Sequence, residues 1–430
     1  MKNLDIKVEH VTRVEGHGNI VVKVRDGRVE DARLDIVESP RFFEVMLQGR
    51  SWQEASWITS RICGICAVTH STASLKATED AFGIVPSAQT VLLRKLLLDG
   101  EYIQSHVLHV YFLVAPDLLG VGSVVPLAGT HIEVVRMALR LKKLGNDLCA
   151  LVGGRHVHPV AMKVNGFTSL PEPAGLASAR ERLVTARADL DATVELFKTL
   201  SIPAFTRETE YLSLKGVDEY PLYDGDMMSS DGYGFKPRGY LESIKETVVP
   251  PSSAKHVAAR RDSYMVGALA RFNNNHGLLH KRAKAVADAV GLSAPCHNPF
   301  MINVAQLVET VHCVEHAAET IDMLLGSGMS VEVSDVRPIA GRGVGVVEAP
   351  RGTLYHDYTY GADGMITGAN CIIPTGQNLA NIEADMQGIL PGLLGGTEAD
   401  VAQTLKMLVR AYDPCISCAT HSIEVVFDRG

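Results

Sequence analysis

Two short stretches hold the residues with the most chemistry to offer. RICGIC runs from Arg61 to Cys66, and DPCISC runs from Asp413 to Cys418, nearly a chain length away. Two Cys-x-x-Cys pairs can close on zinc in tetrahedral, all-sulfur geometry. Zinc knuckles, however, usually stand roughly 15–20 residues apart and staple a small domain. One pair alone can serve as a redox couple, which calls for a βαβ context. Residues 51–62 read as helix or loop and supply no such strand. A soft transition metal is the third possibility, because thiolate sulfur is its matching donor. The flanking residues favour this last reading. Arg61 precedes the first pair and His70 follows Cys66 by one helical turn; Asp413 and Pro414 precede the second pair, and His421 follows it. Structural zinc needs no titratable surround, whereas a redox metal must move protons along with electrons.

A site drawn from both ends of a chain needs a body that brings those ends together. The 430 residues are 46% hydrophobic and 21% charged, enough for a large buried core. The fold class expected is α+β, a large α-helical core with small peripheral β-sheets, arranged as one domain over residues 1–430. Residues 1–40 read as N-terminal strands, rich in Val and Ile, with a hairpin turn at Asp26-Gly27. Residues 41–330 read as mainly helical. Good helix formers that stop at Gly83, with Pro86 beyond, mark a helix over 67–82, and apolar periodicity marks helices near 88–114, 130–152, 174–200, 262–290 and 302–326, with Pro, Gly, Tyr and Asp clusters interrupting at 203–250. Residues 331–430 hold strands and turns to 375, then a helix near 397–411, then the second Cys pair. Thr397 with Asp400 forms a capping-box pattern at the start of that helix.

The net charge of −8 argues against a nucleic-acid partner. No window approaches the roughly 18 apolar residues of a membrane span, and MKNLDIKVEH has no apolar signal core, so a cytoplasmic location is expected. Cys149, Cys296, Cys313 and Cys371 are scattered and read as core thiols. They do not group as cluster ligands, and no Gly-x-Gly-x-x-Gly follows a strand to bind a dinucleotide. Electrons from a redox metal would therefore need a partner that carries iron–sulfur clusters.

Five stretches, in this order, resemble the large subunit of NiFe-hydrogenases: RVEGHG (13–18), RICGICAVTH (61–70), GGRHVHP (153–159), EAPRG (348–352) and DPCISCATH (413–421). The wording is most similar to the multi-subunit branch that includes methyl-viologen-reducing, F420-reducing, NAD(P)-coupled and electron-bifurcating enzymes. The resemblance implies reversible heterolytic cleavage of H2 at a nickel–iron centre whose iron carries CO and CN. It implies that Cys63 and Cys415 bind nickel terminally and that Cys66 and Cys418 bridge nickel and iron. Arg351 would set a guanidinium over the metals, Pro350 and Thr375 would line the cyanide pocket, and Glu15 would take the first proton from a cysteine sulfur. The first base would be Cys415 or Arg351. Glu44 and His421 would hold a Mg or Fe ion near the C-terminus, and His70, His109, Asp117 and Asp413 would stand behind the ligands, orienting them and tuning the metals. The implied partners are an iron–sulfur small subunit, then further flavin or iron–sulfur subunits. Electrons would pass through them to NAD(P), ferredoxin, F420 or a heterodisulfide reductase.

Two features depart from the family pattern. PTGQN (374–378) carries no Trp, and the chain runs on past His421 as SIEVVFDRG, an alternation suited to an edge strand. A hydrogen sensor and a zinc-stapled structural protein are the competing readings. Quinone-site relatives lack the four cysteines and so match poorly.

Overall fold

The computed structural model describes residues 3–333 and 335–420; His421 and the SIEVVFDRG tail lie outside them. Long helices form where apolar residues recur at helical spacing. Ala88–Val107 packs against Ile132–Gly153 and against Ile302–Ser327, which in turn packs against Pro173–Thr199. Ile302–Ser327 is the central helix, because its residues from Ile302 to Val314 are buried on every side. Ile132–Gly153, Pro173–Thr199 and Ile302–Ser327 fall where periodicity puts them, within two residues at each end. Ala88–Val107 runs on into a π-helical segment, Leu108–Val114, which completes the span expected to 114. Among the described residues no helix is long and apolar enough to cross a membrane.

Small sheets edge this body, as expected. Leu4–Val8, Gly18–Arg25 and Arg28–Ile36 pair in antiparallel order, and the turn at Asp26 (φ 50°) and Gly27 (φ 74°) joins the last two. Gly341–Ala349, Gly352–Tyr360 and Ile366–Ile372 form a second antiparallel sheet. Helix Ala67–Phe82, which begins one residue after Cys66, lies directly on its first strand. Gly345 permits that approach, since a Cβ there would collide with the carbonyl oxygen of Ala73. The first Cys pair is thereby locked to the strand pair whose turn carries Arg351.

Two expectations change. The helix read across 262–290 is three pieces. Tyr264–Met265 pairs in parallel with Glu210–Tyr211, and helices Ala268–Asn275 and Lys281–Ala289 follow on either side of a break at His276. The run of Asn residues causes the break: the Asn274 side-chain amide bonds Ser213 Oγ at 3.0 Å, and that of Asn275 bonds the Leu214 carbonyl at 2.9 Å. These bonds tie the end of the helix to the strand Glu210–Lys215. Second, the strand region read to residue 375 gives way at Pro374 to a 20-residue helix, Pro374–Leu393. Proline is well placed in a first helical turn, where its missing N–H goes unused. The capping box is present as expected: Asp400 N donates to Thr397 Oγ1 (3.2 Å) and Thr397 N to Asp400 Oδ2 (3.1 Å).

Candidate metal centre

The four cysteines of the two pairs converge. Their sulfurs all lie within 4.8 Å of one another, and all four residues are buried. Cys63 Sγ is 3.5 Å from Cys415 Sγ, Cys66 Sγ is 3.8 Å from Cys418 Sγ, and Cys415 Sγ is 2.7 Å from Cys418 Sγ.

Local backbone makes this possible. The chain leaves a short 3-10 turn at Ser60–Ile62 and loops so that Ile65 N and Cys66 N both donate to Cys63 Sγ at 3.2 Å. Backbone donors of this kind stabilise a thiolate. The helix then starts with orphan N–H groups. The Glu101 carboxylate meets them, accepting from Val68 N at 2.7 Å and Thr69 N at 3.0 Å. Burial raises the Glu101 pKa to about 8. At the other end, Asp413 takes φ 51° and turns the chain into Cys415, whose N–H donates to Thr375 Oγ1 at 2.8 Å.

The N-terminal RVEGHG stretch completes the cradle. Ile416 N donates to the Glu15 carbonyl at 2.9 Å. The Glu15 carboxylate accepts from Ser417 Oγ at 2.5 Å, Ser417 N at 3.0 Å and the Cys415 thiol at 3.2 Å. Gly16, at φ 86°, is required here because a Cβ would stand 2.7 Å from that of Ile416.

Arg351 stands over the sulfurs. It shares a small pocket with His70, Thr375, Cys66, Cys415 and Cys418. Its Nε donates to the Asp413 carbonyl at 2.8 Å and its Nη2 to Asp413 Oδ1 at 2.9 Å. Burial opposes the charge, but Asp413 and the nearby cysteines hold the Arg351 pKa well above its ordinary value. Asp413 is fixed in turn by Gln306 (3.2 Å), and His109 lies 3.8 Å from it. His109 bonds Gln306 through Nδ1 and the Arg410 carbonyl through Nε2 (2.7 Å). It sits in the π-helical segment Leu108–Val114, a bulge of the kind frequent at functional sites.

The remaining sequence-derived residues fall at different distances from the sulfurs. His70 bonds His356 at 3.0 Å, and burial pushes its pKa down to about 4, so its ring is neutral. Asp117 stands one layer out, where it pairs with Arg13 and Arg410 and so ties RVEGHG to the C-terminal helix. Pro350 offers its carbonyl to Arg271 at 3.0 Å, and Pro374 rather than Pro350 is among the residues lining the pocket. Glu44 is buried and accepts from Cys371 N at 2.9 Å; burial raises its pKa to about 6. His421, its expected companion, lies outside the described residues. The scattered Cys149, Cys313 and Cys371 are buried and lie outside the sulfur cluster, while Cys296 is half-buried and also lies outside it.

Sequence reading passes over Glu101, Gln306, His356, Ser417 and Arg271. Arg271 is wholly buried, bonds Glu309 twice at 2.7 Å and Glu348 at 2.9 Å, and grips the carbonyls of Ala349 and Pro350. It therefore sets the turn that presents Arg351. A charged residue inside an apolar helix, as in LVETVHC (307–313), is the one sequence signal that points to this network.

The donor set fits a soft, thiolate-ligated metal pair. Hydrogen bonds from Cys415, Cys418 and Cys66 push the Cys63 pKa well below the thiol range, while burial pushes Cys418 well above it. Four buried sulfurs so close can all be ionised only around cations.

A helical body that buries four cysteine sulfurs beneath a guanidinium is suited to a thiolate-ligated metal centre. Comparison with known proteins narrows the class. A family described as nickel-dependent hydrogenase matches residues 41–133 and 259–421, and one described as HoxL-like matches residues 5–39. The alpha chain of sulfhydrogenase 1 from Pyrococcus furiosus is 35% identical over 429 residues, 99% of this chain and 100% of that one. The corresponding chain of the F420-non-reducing hydrogenase from Methanothermobacter marburgensis is 34% identical, covering 97% and 95%. The crystal structure of an NAD+-reducing NiFe-hydrogenase in its H2-reduced state superposes with a TM-score of 0.89 at 30% identity, covering 97% of this chain and 99% of that one. The chain belongs to the nickel-dependent hydrogenase family, as a catalytic large subunit of the NiFe type, an oxidoreductase of H2.

Proposed function

We propose that this chain cleaves H2 heterolytically and reversibly at a nickel–iron pair whose iron carries CO and CN. Cys63 and Cys415 would hold nickel as terminal ligands, and Cys66 and Cys418 would be the ligands shared by nickel and iron. The observation that carries this reading is the convergence of the four sulfurs: two from each end of the chain are buried, and all four lie within 4.8 Å of one another. Bound there, the metal pair would supply the open position at which H2 is split.

The chain's own residues manage the proton and the charge. Cys415 Sγ lies 3.2 Å from Glu15 Oε2, within reach for a proton leaving the sulfur. Glu15 is only half-buried, so a proton accepted there is close to water. The Arg351 guanidinium, fixed by Asp413, faces the same pocket with a permanent positive charge. Thr375 lines that pocket with a hydroxyl suited to a cyanide nitrogen. Glu44 would hold Mg or Fe together with His421, and a cation there would keep its buried carboxylate ionised.

Electrons would leave to an iron–sulfur small subunit, then onward through flavin or iron–sulfur subunits in a cytoplasmic complex. The named relatives are subunits of sulfhydrogenase, F420-non-reducing and NAD-reducing enzymes. The final acceptor in this proposal is NAD(P), ferredoxin, F420 or a heterodisulfide reductase, and the NAD-reducing relative supports the first of these.

Isotope exchange tests the reading. The assembled wild-type enzyme under D2 in ordinary water should release HD and H2. Glu15→Gln should keep its nickel and iron while exchange falls by about a hundredfold or more, the usual scale for a lost proton relay. Exchange at the wild-type rate in that variant would reject Glu15 as the route; no exchange by the metal-loaded wild type would reject the function.

A further inference from the structure

Arg41 lies outside every motif of the metal centre, in the link between strand Arg28–Ile36 and the short helix Phe43–Leu47. Its guanidinium reaches both cysteine loops. Nη1 donates to the Ile62 carbonyl at 2.6 Å and reaches the Ser417 carbonyl at 3.5 Å, and Nη2 donates to the Arg61 carbonyl at 3.1 Å. Ile62 immediately precedes Cys63, and Ser417 immediately precedes Cys418. The Arg41 backbone N–H adds a fourth contact, to the Thr420 carbonyl at 2.8 Å. The guanidinium carbon lies 4.9 Å from the centroid of the Phe43 ring, which restricts its swing.

The choice of residue follows from the acceptors. Arg61 and Ile62 end a 3-10 turn, so their carbonyls are orphans at the negative end of a helical segment. A planar fork with five donors can satisfy two of them and still point a donor elsewhere. Lysine, a point charge on a flexible stem, cannot hold three carbonyls in fixed directions.

We infer that Arg41 is a positioning residue that clasps the two cysteine loops together, so that the C-terminal loop stays closed over the metal centre. It touches neither the sulfurs nor the pocket. Its effect passes through the backbone on which Cys63 and Cys418 are carried. The clasp draws on the reading of the four thiolates as one centre only for its metal readout, because the backbone contacts stand without it.

Amide hydrogen exchange over residues 415–419 of the assembled holoenzyme, together with nickel loss to a chelator, tests the clasp. Arg41→Ala should speed both by about tenfold, the ratio expected when bonds worth about 1.4 kcal/mol are lost locally. Arg41→Lys should recover part of that loss, and exchange in helix Pro173–Thr199 should not change. Wild-type exchange at 415–419 in Arg41→Ala would overturn the inference, and so would an equal acceleration throughout the chain. Should Arg41→Ala fail to accumulate, Arg41→Gln carries the same direction of change and the same contrary results, since it removes the charge and the planar fork while keeping an amide NH2. The amide readout is independent of which metal is bound, so its failure would count against the clasp and not against the nickel–iron reading.

Discussion

Replacing Arg351 with lysine in the assembled enzyme is expected to lower H2 oxidation by about a hundredfold or more while nickel and iron stay at the wild-type level. Arg351 faces the metal pocket and holds none of the sulfurs, so the ligand set survives the change. What is lost is direction. The wild-type fork spends Nε and Nη2 on Asp413, at 2.8 and 2.9 Å, and is oriented over the pocket by those bonds. A lysine ammonium keeps the charge but falls back toward Asp413, away from where charge develops. Arg351→Ala should be worse in a different way. It leaves Asp413 buried without its cation, and breaking a buried pair on one side costs about 3–5 kcal/mol of stability. Turnover with electrons drawn off by a viologen dye, measured beside metal content, separates the two variants. Activity within a few-fold of wild type in Arg351→Lys would show that the guanidinium geometry is not used.

Cys415→Ser is expected to leave less than about a tenth of the wild-type nickel and no measurable H2 uptake, because a hydroxyl is a poor donor to a soft metal. Cys415 links the sulfur cluster to Glu15. It contacts Cys418 at 2.7 Å, Cys63 at 3.5 Å and Glu15 at 3.2 Å, and its N–H is fixed by Thr375. Cys296→Ser is the control, since Cys296 is half-buried and outside the cluster. It should keep both nickel and activity. Full nickel in Cys415→Ser would remove that residue from the ligand set.

Parts of this site are legible in the chain and parts are not, for physical reasons. The cysteine pairs can be read because thiolate chemistry tolerates few substitutes and spacing is local information. The N-terminal sheet can be read from its Val and Ile runs, the helix Ala67–Phe82 from its helix formers and the stop at Gly83, and the helix Ile302–Ser327 from its long apolar run at helical spacing. The break at His276 cannot, because it depends on Asn274 and Asn275 bonding a distant strand, Glu210–Lys215. The helix at Pro374 is hidden because proline at a helix start and proline at a strand end look alike in sequence. Glu101, Gln306 and Arg271 act through partners far away in the chain, so nothing adjacent marks them. The motif resemblance implies that Asp117 stands behind the metal ligands, but only the structure gives its partners, Arg13 and Arg410. The link between RVEGHG and the C-terminal Cys pair rests on Gly16, whose close approach to Ile416 is visible only in three dimensions.

The central claim is that four cysteines from the two ends of the chain hold one nickel and one iron. Metal analysis of the purified wild-type enzyme, read with its infrared spectrum, tests it most directly. Nickel is expected in this chain with a matching iron beyond that of any partner's clusters, together with bands from bound CO and CN. Zinc in place of nickel, with no such bands, would contradict it.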